Sequence, residues 1–404
     1  MINLETPRKF VPLVRRARQV ATEVFRPISR KYDLAEHEYP KELDMLASLI
    51  DGMNAGSDIG GAGAAGVRRE SGGKGDGANR NGSNLSTVLG VMELGWGDVG
   101  LLLSMPRQGL GNSAIASVAN EEQFARLQGR WAAMAVTKPE AGSDSAAIRT
   151  TAVLDGDEYV LNGEKIYVTS GERADLVVVW ATLDRSKGRA AIKSFVVERT
   201  NPGLKLDRLE HKLGIRASDT AAFRLVGCRV PKQDMLGSPE IDVKQSFGGM
   251  MQTFDNIRPV VAGMAVGLTR ACLEEARAQL EQAGVHLDYA APALTQHAAA
   301  ARLQAMQADY EAARLLTLQA AWMADNAKPN SLQASMAKAK AGRSCVEVAL
   351  GCVELCGSLG YGESGLLEKW ARDAKILDIF EGTQEIQLLI IARLLLGKTS
   401  AELR

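Results

Sequence analysis

The chain predicts an α+β fold in three parts, an N-terminal α-helical domain, a middle β-domain forming a small barrel, and a C-terminal four-helix bundle. Three observations carry that expectation. Helical periodicity runs from residue 1 to about 133, strand-like runs occupy 134–238, and the helical period returns over 239–404 in segments whose lengths suit a bundle with short connections. Composition agrees with a soluble globular chain: 404 residues, 46% hydrophobic and 24% charged.

In the first part, an amphipathic opening segment is followed by "KELDMLASLIDGM" (41–53), "NLSTVLGVMELGWGDVGLLLSM" (84–105) and "NEEQFARLQGRW" (120–131), each with helical spacing of apolar residues. A Gly-rich tract interrupts them. Its "GGAGAAG" (60–66) contains Gly61-x-Gly63-x-x-Gly66, the spacing of a dinucleotide-binding turn. That turn needs a strand before it and a helix after it, and the flanks "MNAGSDI" and "VRRESGGKGDGANRNGSN" supply neither. The tract therefore reads as a mobile surface insertion that binds no nicotinamide cofactor, although Arg68, Arg69, Lys74 and Arg80 could reach a phosphate.

The middle part begins at "AAMAVT" (132–137). "GDEYVLNGEKIYVTSG" (156–171) places Asn162-Gly163 between two β-prone runs, which predicts a hairpin turn there. "ADLVVVWATLD" (174–184) and "AAIKSFVVERT" (190–200) continue the pattern, and "FRLVGCRVPKQDMLG" (223–237) closes it. The bundle is then read from "GMAVGLTRACLEEARAQLEQAG" (263–284), 294–327, 332–360 and a last helix after "FEGT" (380–383).

Charge and cysteine usage exclude several classes. Lys plus Arg equals Asp plus Glu, 48 each, so no global field recruits nucleic acid or an anionic membrane. The first residues lack the apolar core of a signal peptide, and "IQLLIIARLLLG" (386–397) is short and interrupted by Arg393; the expectation is a cytoplasmic protein without integral membrane association. Five cysteines without a CxxC pair argue against a disulfide framework, and Cys345, Cys352 and Cys356, at offsets of seven and eleven, read as thiols on one buried helix face. Histidines at 37, 211, 286 and 297 are scattered, so no metal site is expected.

Three segments carry candidate chemistry. "AVTKPEAGSD" (135–144) has no hydrophobic period, and its loop can turn backbone N–H groups on an anion or a heterocycle; "YVTSG" (167–171) offers the same from the hairpin. In "RDAKILDIFEGTQEIQ" (372–387), apolar residues run into Glu381, Gly382 breaks the helix and Thr383 can cap the next one. A carboxylate pinned among apolar neighbours has a raised pKa and becomes a competent base near neutrality; a solvated Glu at a helix corner is the ordinary alternative. In "FDNIRP" (254–259), Asp255 and Arg258 share a helix face, as an intrahelical pair or as an anchor for a polar ligand.

These segments, with the "NGEKIYVTSG" run, resemble in order and spacing the signature segments of the acyl-CoA dehydrogenase family, over nearly the whole chain. The resemblance implies FAD, an acyl-CoA substrate, α,β-desaturation, and electrons passed to an electron-transfer flavoprotein. It implies that Met134, Val136, Thr137, Gly142, Ser143, Tyr167 and Thr169 surround the flavin and its phosphates, with Thr383 and Glu385 also on the cofactor. Ser143 would also touch the pantetheine, Asp255 and Arg258 the CoA arm, and Gly382 the thioester. Glu381 would be the base, removing the α-proton as hydride leaves Cβ for flavin N5. Hydrogen bonds to the thioester carbonyl, one from the Glu381 amide, would stabilise the enolate by about 3 kcal/mol per donor.

The chain departs from the family pattern in places. "QAGVHLDYAAPALTQHAAA" stands where the family carries an Arg-x-x-Phe-Gly segment that reaches the neighbouring subunit's FAD, and Glu354 replaces a glutamine facing the same flavin. Tyr167 replaces a tryptophan, and Lys138 and Glu140 alter the first loop. The departures fall on the across-interface half of the site, which suggests an α2β2 heteromer with a paralogue, against a homotetramer. An acyl-CoA oxidase and a non-catalytic assembly subunit are the other readings; acyl chain length and branching are not legible.

Overall fold

A computed structural model of the chain describes residues 6–47, 81–106, 110–145, 147–241, 248–399 and 402, with side chains at 248–254 and 256 left out. The Gly-rich tract, its GxGxxG spacing and Arg68, Arg69, Lys74 and Arg80 lie outside the described residues.

The first part is helical: α1 (Val11–Val20), α2 (Arg26–Leu34), α3 (42–47), α4 (Ser83–Gly97), α5 (Val99–Leu103), α6 (Leu110–Val118) and α7 (Glu121–Leu127). A π-type turn, Ala21–Phe25, joins α1 to α2 immediately before Pro27, which has no N–H to continue the α-helical ladder. The run 84–105, expected as one helix, breaks at Asp98. Its backbone is extended (φ −169°, ψ 123°) and its carboxylate caps α5 by accepting the Leu101 N–H at 2.8 Å.

Eight strands follow: β1 (Ala132–Ala135), β2 (Thr151–Asp155), β3 (Glu158–Thr169), β4 (Leu176–Thr182), β5 (Ile192–Glu198), β6 (Leu204–Leu209), β7 (Thr220–Pro231) and β8 (Met235–Leu236). The sheet runs β6-β7-β3-β2-β4-β5-β8, with β1 added parallel to β4. The path wraps one core: Phe195 of β5 shares a cluster with Leu161 of β3 and Phe223 of β7. The expected turn at Asn162-Gly163 does not form. β3 runs straight through it, and the hairpin with β2 turns at Gly156, where φ is +62°. Gly163 instead sits at a register shift against β7 with φ +146°, and a Cβ there would lie 2.8 Å from Thr150 Cα. An Asn-Gly pair thus serves a bulge and a close backbone approach rather than a turn.

The last part is α8 (Gly248–Gln282), α9 (Ala298–Asp325), α10 (Ser331–Tyr361), α11 (Leu367–Leu377) and α12 (Gln384–Leu396). Helix α10 is central, packing on α8, α9, α11 and α12. Among the described residues it is the one helix long and apolar enough, by length and composition, to cross a membrane; its Cys345 and Cys352 are buried in the bundle core. All five cysteines are free, four buried and Cys356 half-buried.

The three parts are joined through α11. Lys369 Nζ donates to Asp98 and to Asp373, each at 2.6 Å, with all three side chains buried, and Ser29 also donates to Asp98. Ile215 N–H, after β6, donates to Asp373 at 2.5 Å, and Arg372 binds Asp33 of α2 at 2.6 Å. Gly214 packs so closely on α11 that a Cβ would lie 2.5 Å from the Arg372 carbonyl.

Candidate active site

Glu381 stands in the turn between α11 and α12. Helix α11 unwinds with Phe380 N–H still bonded to Ile376 O at 3.0 Å, and then the chain turns left-handed, φ +56° at Glu381 and +93° at Gly382. Thr383 caps α12, its Oγ1 accepting the Ile386 N–H at 3.4 Å. A left-handed glutamate is strained, by about 1–3 kcal/mol, and persists only where neighbours over-determine it. Here Gln387 Nε2 donates to the Glu381 carbonyl at 3.2 Å and to that of Gly382 at 3.1 Å, and Lys338 Nζ donates to Gly382 O at 2.6 Å. Position 382 requires glycine for its φ, and a Cβ there would also displace the Gln387 amide, whose Nε2 it would meet at 2.4 Å.

The residue is half-buried, but its carboxylate Oε2 is sealed from solvent and has no hydrogen-bond partner. Desolvation pushes the carboxyl up to about 7, against the pull of the Lys338 and Arg258 charges. The sealed oxygen favours the apolar-pocket reading over a solvated helix corner. Arg258 of α8 is 5% exposed and pairs with Asp255 at 2.5 Å; Ser331 Oγ holds the other Asp255 oxygen at 2.6 Å. The intrahelical pair forms, yet it is turned inward, and the Arg258 Nε–H is buried without a partner.

The β-domain carries the other candidate residues. Ile166 N–H donates to Thr137 O at 3.0 Å, which sets the 135–144 loop beside the end of β3. Met134, Val136, Thr137 and Thr169 are half-buried there, while Gly142 and Ser143 are exposed. Tyr167 is 62% exposed at φ +56°, an uncovered aromatic ring on strained backbone. Beneath them lie two buried lysines that the sequence did not single out as a pair. Lys165 Nζ donates to Val136 O at 3.0 Å and Lys138 Nζ to Asp144 O at 2.9 Å, so each props the loop from within. Burial brings Lys165 down to about 7, helped by Lys138. Thr383 serves α12 as its cap, and Glu385 is exposed in its first turn.

Two sequence expectations change. His37 and His211 are not scattered: the fold sets both beside Glu36, with ligand-type atoms within 4.8 Å of one another. His211 Nδ1 and Glu36 Oε2 share a hydrogen bond at 2.8 Å, and contact across 175 positions is beyond what spacing can show. Glu354 does not stand as an unpaired negative charge, because Arg302 of α9 forms an ion pair with it.

Comparison with known proteins places these features. Residues 133–228 match the acyl-CoA dehydrogenase middle domain and residues 247–396 the acyl-CoA dehydrogenase C-terminal domain. The mitochondrial short-chain specific acyl-CoA dehydrogenase of Mus musculus is 38% identical over 258 residues, 64% of this chain and 61% of that protein, so the chain matches less than two thirds of that relative's length. The short-chain specific acyl-CoA dehydrogenase of Clostridium acetobutylicum is 34% identical over 77% of this chain and 82% of that one. The structure of butyryl-CoA dehydrogenase from Megasphaera elsdenii superposes with a TM-score of 0.82 over 98% of this chain and 100% of its own, at 29% identity. The chain belongs to the acyl-CoA dehydrogenase family.

Proposed function

We propose that this chain catalyses FAD-dependent α,β-desaturation of an acyl-CoA thioester, with Glu381 as the base. The observation that carries the proposal is the buried, unpartnered Oε2 of Glu381, held on a left-handed turn with its carboxyl near neutrality. A base in that state gains a proton without first giving up a hydrogen bond.

Members of the family are FAD-dependent flavoproteins, and the residues present fit that cofactor. The uncovered Tyr167 ring offers a stacking surface, the exposed Gly142–Ser143 backbone offers amides to phosphate, and Met134, Val136 and Thr137 line the strand end between them. FAD, when bound, supplies the acceptor for the hydride that leaves Cβ. The chain's own residues do the rest. Glu381 takes the α-proton, its backbone amide is available to the thioester carbonyl, and Arg258 and Lys338 keep enough of the carboxyl ionised near neutral pH to act. Butyryl-CoA is the first substrate to try, since the relatives named above are called short-chain specific or butyryl-CoA dehydrogenases. Delivery of electrons to an electron-transfer flavoprotein and a cytoplasmic location belong to the same proposal.

Anaerobic photometry tests it. Butyryl-CoA is expected to bleach the bound flavin, and Glu381→Gln to slow bleaching by about 10²–10⁴ while flavin content and folding stay intact. A variant that retains flavin reduction within about tenfold of wild type would place the base elsewhere.

A heteromeric assembly with a paralogue remains a second reading, favoured by the missing Arg-x-x-Phe-Gly segment. In its place 283–297 forms a loop with a single 3₁₀ turn, Ala293–Thr295.

A further inference from the structure

Helix α10 buries a lysine on a face otherwise made of small residues, Ala, Gly and Ser335. Lys338 lies seven positions before Cys345, among the buried Ala334, Ala341 and Gly342, and is itself inaccessible to solvent. Its one described hydrogen bond leaves α10 and ends on the Gly382 carbonyl at 2.6 Å, directly after Glu381. A buried ammonium costs several kcal/mol unless its charge is matched. A neutral side chain of the same length would fill this space at lower cost, and Gln387 already donates to the same carbonyl. Packing and hydrogen bonding alone therefore leave the charge unexplained.

We propose that Lys338 is the positioning residue of Glu381: it clamps the Gly382 carbonyl, fixes the left-handed turn, and sets a cation beside a carboxyl that the fold otherwise strips of water. The proposal rests on the reading of Glu381 as the base. The charges facing this corner come from three elements besides α10. Arg258 with Asp255 comes from α8, Asp378 from the end of α11, and Glu385 from the start of α12. Arg258 is committed to Asp255, and Asp378 pairs with Lys375 at 3.1 Å, which leaves Lys338 as the cation whose hydrogen bond goes to the base's own turn. Burial lowers Lys338 to about 8, so it is still charged where Glu381 begins to ionise.

Three substitutions separate charge from hydrogen bond and volume. Lys338→Met removes charge and donor, Lys338→Gln keeps a donor, and Lys338→Arg keeps the charge. Two readouts are taken on the holoenzyme: the pH dependence of flavin reduction by butyryl-CoA, and an infrared titration of the Glu381 carboxyl, identified by its loss in Glu381→Gln, without substrate. Lys338→Met and Lys338→Gln are expected to move the carboxyl titration and the acid limb of the rate profile upward by about one unit or more, a tenfold loss at fixed pH below the new limb, with KM little changed. Lys338→Arg should restore both. A carboxyl that titrates in Lys338→Gln as in wild type, or a rate loss equal at every pH, overturns the proposal and leaves a merely structural lysine. If Lys338→Met does not fold, the Gln and Arg variants decide alone. If Glu381→Gln still reduces flavin, the base assignment fails by itself, and the carboxyl titration still tells whether Lys338 governs Glu381.

Discussion

Two corners of α11 bury charge in opposite ways. Along its length, Lys369 lies between Asp98 and Asp373 with 2.6 Å contacts to both; Ser29 shares the Asp98 oxygen that Lys369 binds, and Leu101 N–H and Ile215 N–H satisfy the other oxygen of each carboxylate. Just beyond its C-terminal end, Glu381 Oε2 and Arg258 Nε are buried with nothing to bond, on backbone bent left-handed. A cluster whose carboxylate oxygens are all hydrogen-bonded holds three segments of chain together. A cluster with vacant bonding positions is unstable by itself and ready to bind or to exchange a proton, which marks the second corner as the functional one.

That contrast is broken most directly at Lys369. Lys369→Met removes the cation from two buried carboxylates and leaves both uncompensated, so we expect a loss of about 3–5 kcal/mol in denaturant unfolding, with flavin reduction by surviving folded protein unchanged in its pH profile. A loss below about 1 kcal/mol would mean that water reaches Asp98 and Asp373 and that the two corners differ less than their geometry implies.

The opposite sign is expected at Glu381. Its folded carboxyl titrates near 7, above the 4.5 of an unperturbed glutamate, so the folded state binds the proton more tightly than the unfolded state does. The stability this represents is present below the unfolded value, falls as pH rises between 4.5 and about 7, and stays lost above that. Glu381→Gln, which cannot ionise, should therefore match wild type near pH 4.5 and exceed it by about 2–3 kcal/mol at pH 8. Equal unfolding midpoints for the two proteins across that range would show that the carboxyl is solvated.

The sequence disclosed the two corners unequally. Glu381, Gly382 and Thr383 were legible because an apolar run, a helix breaker and a cap follow one another in "ILDIFEGT", a local pattern. Lys338 was visible in principle, since its offset of seven from Cys345 puts it on the thiol face, but lysines in an Ala-rich helix are ordinarily solvated. The Asp98–Lys369–Asp373 cluster joins residues 271 positions apart and leaves no local trace. Asn162-Gly163 misled for a related reason: the need for glycine came from Thr150 on the neighbouring segment, and only the fold brings them together. Strand β6 carries no clear strand signal because "LKLDRL" is half charged and largely solvent-facing on the sheet edge.

The smallest effect is expected at the third charged position, Glu354, and it bears on assembly. An unpaired carboxylate facing a neighbouring subunit's flavin would repel its pyrophosphate and would favour pairing with a different chain. Arg302 lies in an ion pair with Glu354, and both side chains are about half exposed, 47% and 64%. Such a pair contributes about 0–1 kcal/mol, and the arginine cancels most of the field that the carboxylate would project. Glu354→Gln should therefore shift the unfolding free energy by less than about 1 kcal/mol and leave the native mass and flavin count of the assembly, read by native mass spectrometry, as in wild type. The heteromer proposal then rests on the missing arginine segment alone, and a homotetramer of this chain carrying four flavins would end it. A several-fold gain in flavin on Glu354→Gln would show instead that Arg302 leaves Glu354 free to repel the cofactor, and that one carboxylate governs whether this chain can assemble with itself.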